Sequence, residues 1–237
     1  MSERMTFYRE TEFKDTEIGR IPKEWEVRRL NEIAELCRGL SYSGEEKSIN
    51  EIPDGYLFLT LNSIKEAGGL KEDGWSWIKS DRLKERHFVR EGDIVIANTE
   101  QSKDGSLLGS PAIVRFPKWY QKDRAAFSHH ISKLTPRVEN IDIGFLLYYL
   151  AFVQPLAKNY HTGTGVWGLD VDTWSSDLLI SIPPFKEQQQ IASILSTIGE
   201  AIQKTDEVIA KTERLKKGMM QELLTKGIGH KEFKDTE

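Results

Sequence analysis

The spacing of apolar residues changes once along the chain, near Lys186. Beyond that point Ile191, Leu195, Ile198, Ile202, Thr205, Ile209, Thr212, Lys216, Met219 and Leu223 occur in alternating steps of four and three. That is the spacing of a coiled-coil seam. Pro184 stands where helices begin and Gly227 where they stop. The pattern therefore predicts one helix from roughly Lys186 to Lys226, about 60 Å long at about 1.5 Å per residue. An uncovered stripe of Ile and Leu leaves a helix unstable alone and adhesive in solution. The helix is expected to pair with another one, with Thr205, Thr212 and Lys216 weakening the seam and setting its register. The alternative is a helix folded back over its own domain.

Before Lys186 the periods are shorter and mixed. Tyr56–Leu61, Ala112–Phe116, His129–Pro136 and Leu178–Ile182 read as strands, Glu91–Asn98 as a turn and then a strand, and Ile141–Ala157 as a helix. Trp25 to Leu36 suggests a strand-like entry and a short helix, Leu83–Val89 a helical turn, and Asn159–Gly168 a glycine-rich loop. The fold class expected is α+β. Its parts are a polar arm over residues 1–20, a mixed β-rich domain over 21–184, the long helix over 185–227 and a short tail over 228–237.

Composition narrows the function. Hydrophobic residues make up 38% and charged residues 30%, enough to bury a core and still carry a solvated appendage. The single cysteine, Cys37, excludes an internal disulfide and a cysteine metal cluster, which suits a reducing cytoplasm. Met1–Glu10 is charged without an apolar core, and the apolar run Phe145–Val153 is too short for a bilayer. Neither a secretory signal nor a membrane partner is expected. The net charge of −4 argues against non-specific coating of nucleic acid. Yet Arg115, Lys118, Lys122, Arg124, Lys133 and Arg137 face only one acid, Asp123, and are interleaved with Phe116, Trp119, Tyr120, Phe127, His129 and His130. Such a local basic and aromatic stretch suits phosphate contact, or else is an ordinary solvated loop.

Apparent chemical motifs fail on context. Gly163, Gly165 and Gly168 satisfy G-x-G-x-x-G, but they come after a helix and precede no second one with the required acid. Ile182-Pro183-Pro184-Phe185 resembles a methyltransferase core, but Ile182 offers no acceptor where a polar residue must hold the amino group. The five histidines show no metal-ligand spacing, and His129 and His130 on a strand would point to opposite faces. No catalytic centre and no cofactor are expected.

One repeat is present: Phe13–Glu17 and Phe233–Glu237 both read FKDTE, each after a glutamate. It marks one complete unit of a repeat, or a duplicated linker without structural meaning. Three segments carry a family resemblance: TEIGRIPKEWEVRRLNEIAEL, EGDIVIANTEQSKDGSLLGSPAIV and LLISIPPFKEQQQIASILSTIGEAI. The last is the most specific, with Pro183-Pro184 before Glu187-Gln188 and Ile191-Ala192. Over about residues 16 to 230 the chain resembles the specificity subunit of type I restriction–modification systems. Such subunits hold two target recognition domains, each succeeded by a conserved helix, with the helices antiparallel. The resemblance implies a non-catalytic DNA reader that docks modification and restriction subunits. With one domain and one helix, it further implies a half-length form acting as a homodimer.

The resemblance carries over no base contacts, so the candidates rest on side-chain chemistry. Lys118, Lys122 and Arg124 are expected on phosphates; Arg38, Asn98, Gln101 and Lys103 are loop donors suited to base edges. Tyr42, His130, His161 and Thr164 complete the DNA-facing set. Two other readings stay open: the recognition module of a fused methyltransferase–nuclease, and a coiled-coil adaptor that binds protein only.

Overall fold

The computed structural model describes residues 12–66, 68–71, 73–100 and 104–229. The chain divides into a compact unit ending at Ala192 and a second unit beginning at Ser193.

The compact unit is built around a sheet of four antiparallel strands in the order Pro111–Ile113, Ile94–Ala97, Ile131–Pro136, Ala34–Arg38. Side chains alternate across a strand. Ile94 and Ile96 therefore enter one hydrophobic core, while Val95 and Ala97 enter another. The first core lies against the helices Leu30–Ile33, Ile143–Val153 and Val171–Asp177, and includes Leu146, Leu150 and Trp174. The second core lies against a mixed five-stranded sheet, ordered Lys47–Ser48, Ser76–Ile78, Tyr56–Leu59, Ala125–Phe127, Phe88–Val89. Leu57, Leu59, Trp77 and Phe127 point into it. Tyr56, Phe58, Ile78, Phe88 and Ala126 form a third cluster on the opposite face.

The two sheets meet where backbone crowds backbone. The Gly39 amide donates to the Ile131 carbonyl, the Leu40 amide to that of Phe127, and the His129 amide back to Leu40. A Cβ at position 39 would stand 2.1 Å from the Phe127 carbonyl oxygen. Only glycine fits.

Several expected elements differ from the pattern. The polar arm contains a hairpin, Phe13–Thr16 paired with Gly19–Pro22, in which Arg20 lies over the Phe13 ring. The second FKDTE copy lies outside the described residues. Leu83–Val89 is a 3-10 turn, Glu85–His87, running into strand Phe88–Val89. The helix expected to reach Ala157 ends at Val153 and continues as 3-10 turns, Gln154–Tyr160. Pro155 lacks the amide hydrogen, and its ring clashes with the preceding turn. The glycine-rich loop closes a hairpin, His161–Thr162 with Trp167–Leu169. His129 and His130 precede the strand they were expected to join and form a turn, with ring centroids 3.9 Å apart.

The long helix runs Phe185–Lys226 and closes at Gly227, whose φ of 67° is the left-handed stop that glycine permits. Its first two turns belong to the compact unit. Gln188 is wholly buried: its Oε1 accepts from the Asp142 amide at 2.9 Å, and its Nε2 donates to the carbonyls of Pro183 and Asn140. Ile191 and Ala192 pack on the first core. The compact unit thus extends to Ala192, past the expected boundary at residue 184. Ile191, expected in the pairing seam, is half-buried in that unit instead.

Gly39→Ala should lower stability by about 1–3 kcal/mol, read as a shifted urea midpoint, because the backbone pair must move apart. Gln188→Ala removes three hydrogen bonds to backbone, leaving the buried Pro183 carbonyl without this partner, and should cost about 1–3 kcal/mol in the same measurement; an unchanged midpoint would mean that the helix entry is not anchored there.

Candidate nucleic-acid interface

Next to the junction of the two sheets lies a cleft of about 220 Å³, lined by Tyr42, Lys47, Thr60, Leu61, Asn62, Thr99, His130 and Val166. A small sheet forms one side: Thr99–Glu100 pairs with Trp167–Leu169, which pairs with His161–Thr162. Two buried groups brace the adjoining loop. The Glu100 carboxylate accepts from the amides of Leu107 and Leu108 and from the Ser106 hydroxyl. Gln154 Nε2 donates to the carbonyls of Ser106 and Leu108 at 3.1 and 2.8 Å.

Two expected residues, Tyr42 and His130, meet in the cleft. Tyr42 packs edge-on against Phe58, and burial raises its phenol pKa. His130 Nδ1 lies 3.0 Å from the Thr99 hydroxyl. Burial pushes the His130 pKa down, helped by His129 and by Lys47. Its imidazole is therefore neutral at neutral pH, with one nitrogen a donor and the other an acceptor. Lys47 lies over the Tyr42 ring at 5.9 Å. The neighbouring carboxylate, Glu46, is committed elsewhere. Bonds from the Ser43 amide, Ser80 and Arg82 hold its pKa at about 2.

Three more candidates lie at the hairpin beside the cleft. Arg38 Nη2 donates to the Leu169 carbonyl at 3.2 Å. His161 stacks on Trp167 with ring centroids 4.2 Å apart, and Thr164 is exposed at the hairpin tip between Gly163 and Gly165. Gln101 and Lys103 lie outside the described residues.

Asn98 is not a surface donor. It is 1% exposed, and its Nδ2 donates to the Ser132 hydroxyl at 2.9 Å. Its amide donates to the His130 carbonyl, and its carbonyl accepts from the Leu169 amide. It joins the central sheet to the small sheet, so a base cannot reach it.

The basic stretch does not form one phosphate track, because most of its cations are engaged within the fold. Arg124 pairs with Glu85 at 2.7 Å and lies over the Phe88 ring. Lys122 donates to the Gly55 carbonyl and covers the Tyr56 ring at 4.4 Å. Lys133 reaches the Phe88 carbonyl; Arg115 and Arg137 pair with Glu91 and Glu35. Lys118 is exposed beside Trp119, which is 60% exposed and stacked on Trp77. Spacing along the chain counts charges but not their partners. Lys47, Thr60, Asn62 and Thr99 also line the cleft, yet no sequence pattern marks them; adjacency to Asn98 is the only signal for Thr99.

In the second unit, Leu195, Ile198, Ile202, Ile209, Met219 and Leu223 are all exposed. The Thr205 and Thr212 hydroxyls bond back to the helix carbonyls of Ala201 and Val208 at 2.8 Å. Leu215, Met220 and Leu224 widen the apolar stripe beyond the expected seam. Among the described residues, no helix is long and apolar enough to cross a membrane.

Residues 22–214 match the family described as type I restriction modification DNA specificity domain. The putative type I restriction enzyme MjaX specificity subunit of Methanocaldococcus jannaschii is 32% identical over 98% of this chain and 53% of its own length. The EcoKI specificity subunit of Escherichia coli is 26% identical over 87% of this chain and 43% of its own. The chain thus spans about half the length of the curated relatives it matches. The solved HsdS subunit of Thermoanaerobacter tengcongensis shares the fold, with a TM-score of 0.55 at 18% identity over 85% of this chain and 45% of that one. A chain solved in work on assembly and conformational transition of the type I R-M system gives 0.61 at 20% identity, over 87% of this chain and 46% of that one. With a family match that runs from Pro22 in the compact unit to Arg214 in the long helix, the chain belongs to the type I restriction–modification DNA specificity family.

Proposed function

We propose that the chain reads one half of a split DNA site in the cytoplasm and docks the modification and restriction subunits of a type I complex. A second copy supplies the partner for its long helix, in antiparallel pairing. The observation that carries the pairing is the stripe of exposed Ile, Leu and Met on the second unit, which no residue of that unit covers among those described. Burying such side chains contributes about 1.5–3 kcal/mol each.

Two identical readers about a two-fold axis must read an inverted repeat, because the symmetry of the dimer is imposed on the site. The helix pair then serves as the ruler between the two halves. DNA contact is assigned to the cleft with Tyr42 and His130, to the hairpin with Arg38, His161 and Thr164, and to Gln101 and Lys103. Lys118 is assigned to phosphate, whereas Lys122 and Arg124 mainly brace the aromatic face beneath them.

Light scattering should give a dimer at micromolar concentration. Ile202→Asp with Ile209→Asp should weaken it at least about a thousandfold, since four buried side chains are lost across the pair. A strict monomer for the unaltered chain would refute the pairing. Methylome sequencing beside its modification subunit should show an interrupted palindrome; an asymmetric motif would refute the symmetric reader. Lys118→Ala should weaken DNA binding about equally on all sequences and lower the salt slope by about one.

A further inference from the structure

The cleft beside His130 combines three features that ordinary surface polarity does not explain. The first is unfilled hydrogen-bonding capacity in and beneath its wall. Thr60, which is 4% exposed and lines the cleft, has its hydroxyl oxygen buried with no hydrogen-bond partner among the described residues. The same holds for Ser128 Oγ, His129 Nδ1 and Asn98 Oδ1, each within two residues of a cleft residue. Buried polar atoms are nearly always paired, and an unpaired one is costly. Of the four, Thr60 belongs to the cleft lining, and the other three lie behind it in the wall.

The second feature is the sign of the charge. Lys47 brings an ammonium with three donors and no acceptor. Glu46, the nearest acid in sequence, is bonded to Ser43 and Arg82 instead. Among the described residues, no carboxylate lines the cleft.

The third feature is shape. Leu61 and Val166 add apolar wall on a scale that suits one base edge. His130 is held by Thr99 on one side and by the His129 ring on the other.

From these we infer that the cleft is a specificity subsite for the major-groove edge of one guanine, with Lys47 as the principal reader and His130, fixed by Thr99, as the second. This rests on the DNA-reading function proposed above. Guanine presents two adjacent acceptors, N7 and O6, which a lysine can take together. Adenine and cytosine each place an amino donor on that edge, which the Lys47 ammonium would repel. Thymine offers a single acceptor, half of what the site supplies. Because burial, and then His129 and Lys47, oppose a proton on His130, the neutral ring can adopt the tautomer that puts a donor on the base.

The test is selection of binding sites from a randomised duplex pool, using the full chain with its modification subunit. Four forms are compared: unaltered, Lys47→Met, Lys47→Arg and His130→Gln. Lys47→Met should cut the preference for one G·C position about 10- to 100-fold and leave the other positions as they were. Lys47→Arg should retain the preference, since it keeps the donors. His130→Gln should weaken preference at that same position. Melting temperatures should stay constant, because Lys47 and His130 are partly exposed side chains. A uniform loss on all sequences would make Lys47 a phosphate contact and overturn the inference. So would an affected A·T position, or unchanged preferences throughout. If the unaltered chain selects no sequence at all, the DNA-reading function itself fails, which is a distinct result.

Discussion

The compact unit depends on a sheet that is buried on both faces. Ile94, Val95, Ile96 and Ala97 are at most 1% exposed, and they alternate between two cores. A strand in that position cannot slip by one residue, because a slip would exchange every side chain between two differently shaped cores. That register fixes the chain immediately beyond the strand. Asn98 leaves the strand and binds both His130 and Leu169, which sets the small sheet and one wall of the cleft. The close approach of Gly39 to Phe127 sets the other wall, since it brings Tyr42 against Phe58 and near His129.

The electrostatics come from the same architecture. A mixed sheet with an aromatic outer face needs cover, and Lys122 and Arg124 supply it with their stems and cation–π contacts. Charges used in this way are less available to phosphate. Lys47 and Lys118 are left facing outward, one in a cleft and one on an aromatic ledge. An acidic chain can therefore present local positive sites without a basic surface overall.

The long helix obeys a different constraint. Its first turns are held by Gln188, Ile191 and Ala192, whose contacts lie within the compact unit. From Ser193 onward it belongs to the second unit, and helices in general draw most of their stability from packing of an apolar face. The back-bonded Thr205 and Thr212 hydroxyls place polar atoms within that stripe, so the proposed pairing would be moderate and registered, not a permanent zipper.

Local periodicity determined a good deal of this protein. The heptad spacing, the proline entry and the glycine stop defined the long helix to within a residue or so. Alternating apolar runs located the strands around Leu57, Val95 and Leu134. These features are legible because they repeat over a few residues and depend on the backbone alone. The tertiary structure decided the rest. It turned Asn98 inward, set the His129 ring against His130, bound Arg124 to Glu85 and packed Ile191 against the core. It also assembled a cleft from Tyr42, Lys47, Thr60, Thr99, His130 and Val166, residues scattered along the chain. No period in the sequence encodes such a meeting, because it is made by long-range strand pairing and by two sheets that approach closely enough to exclude a single methyl group.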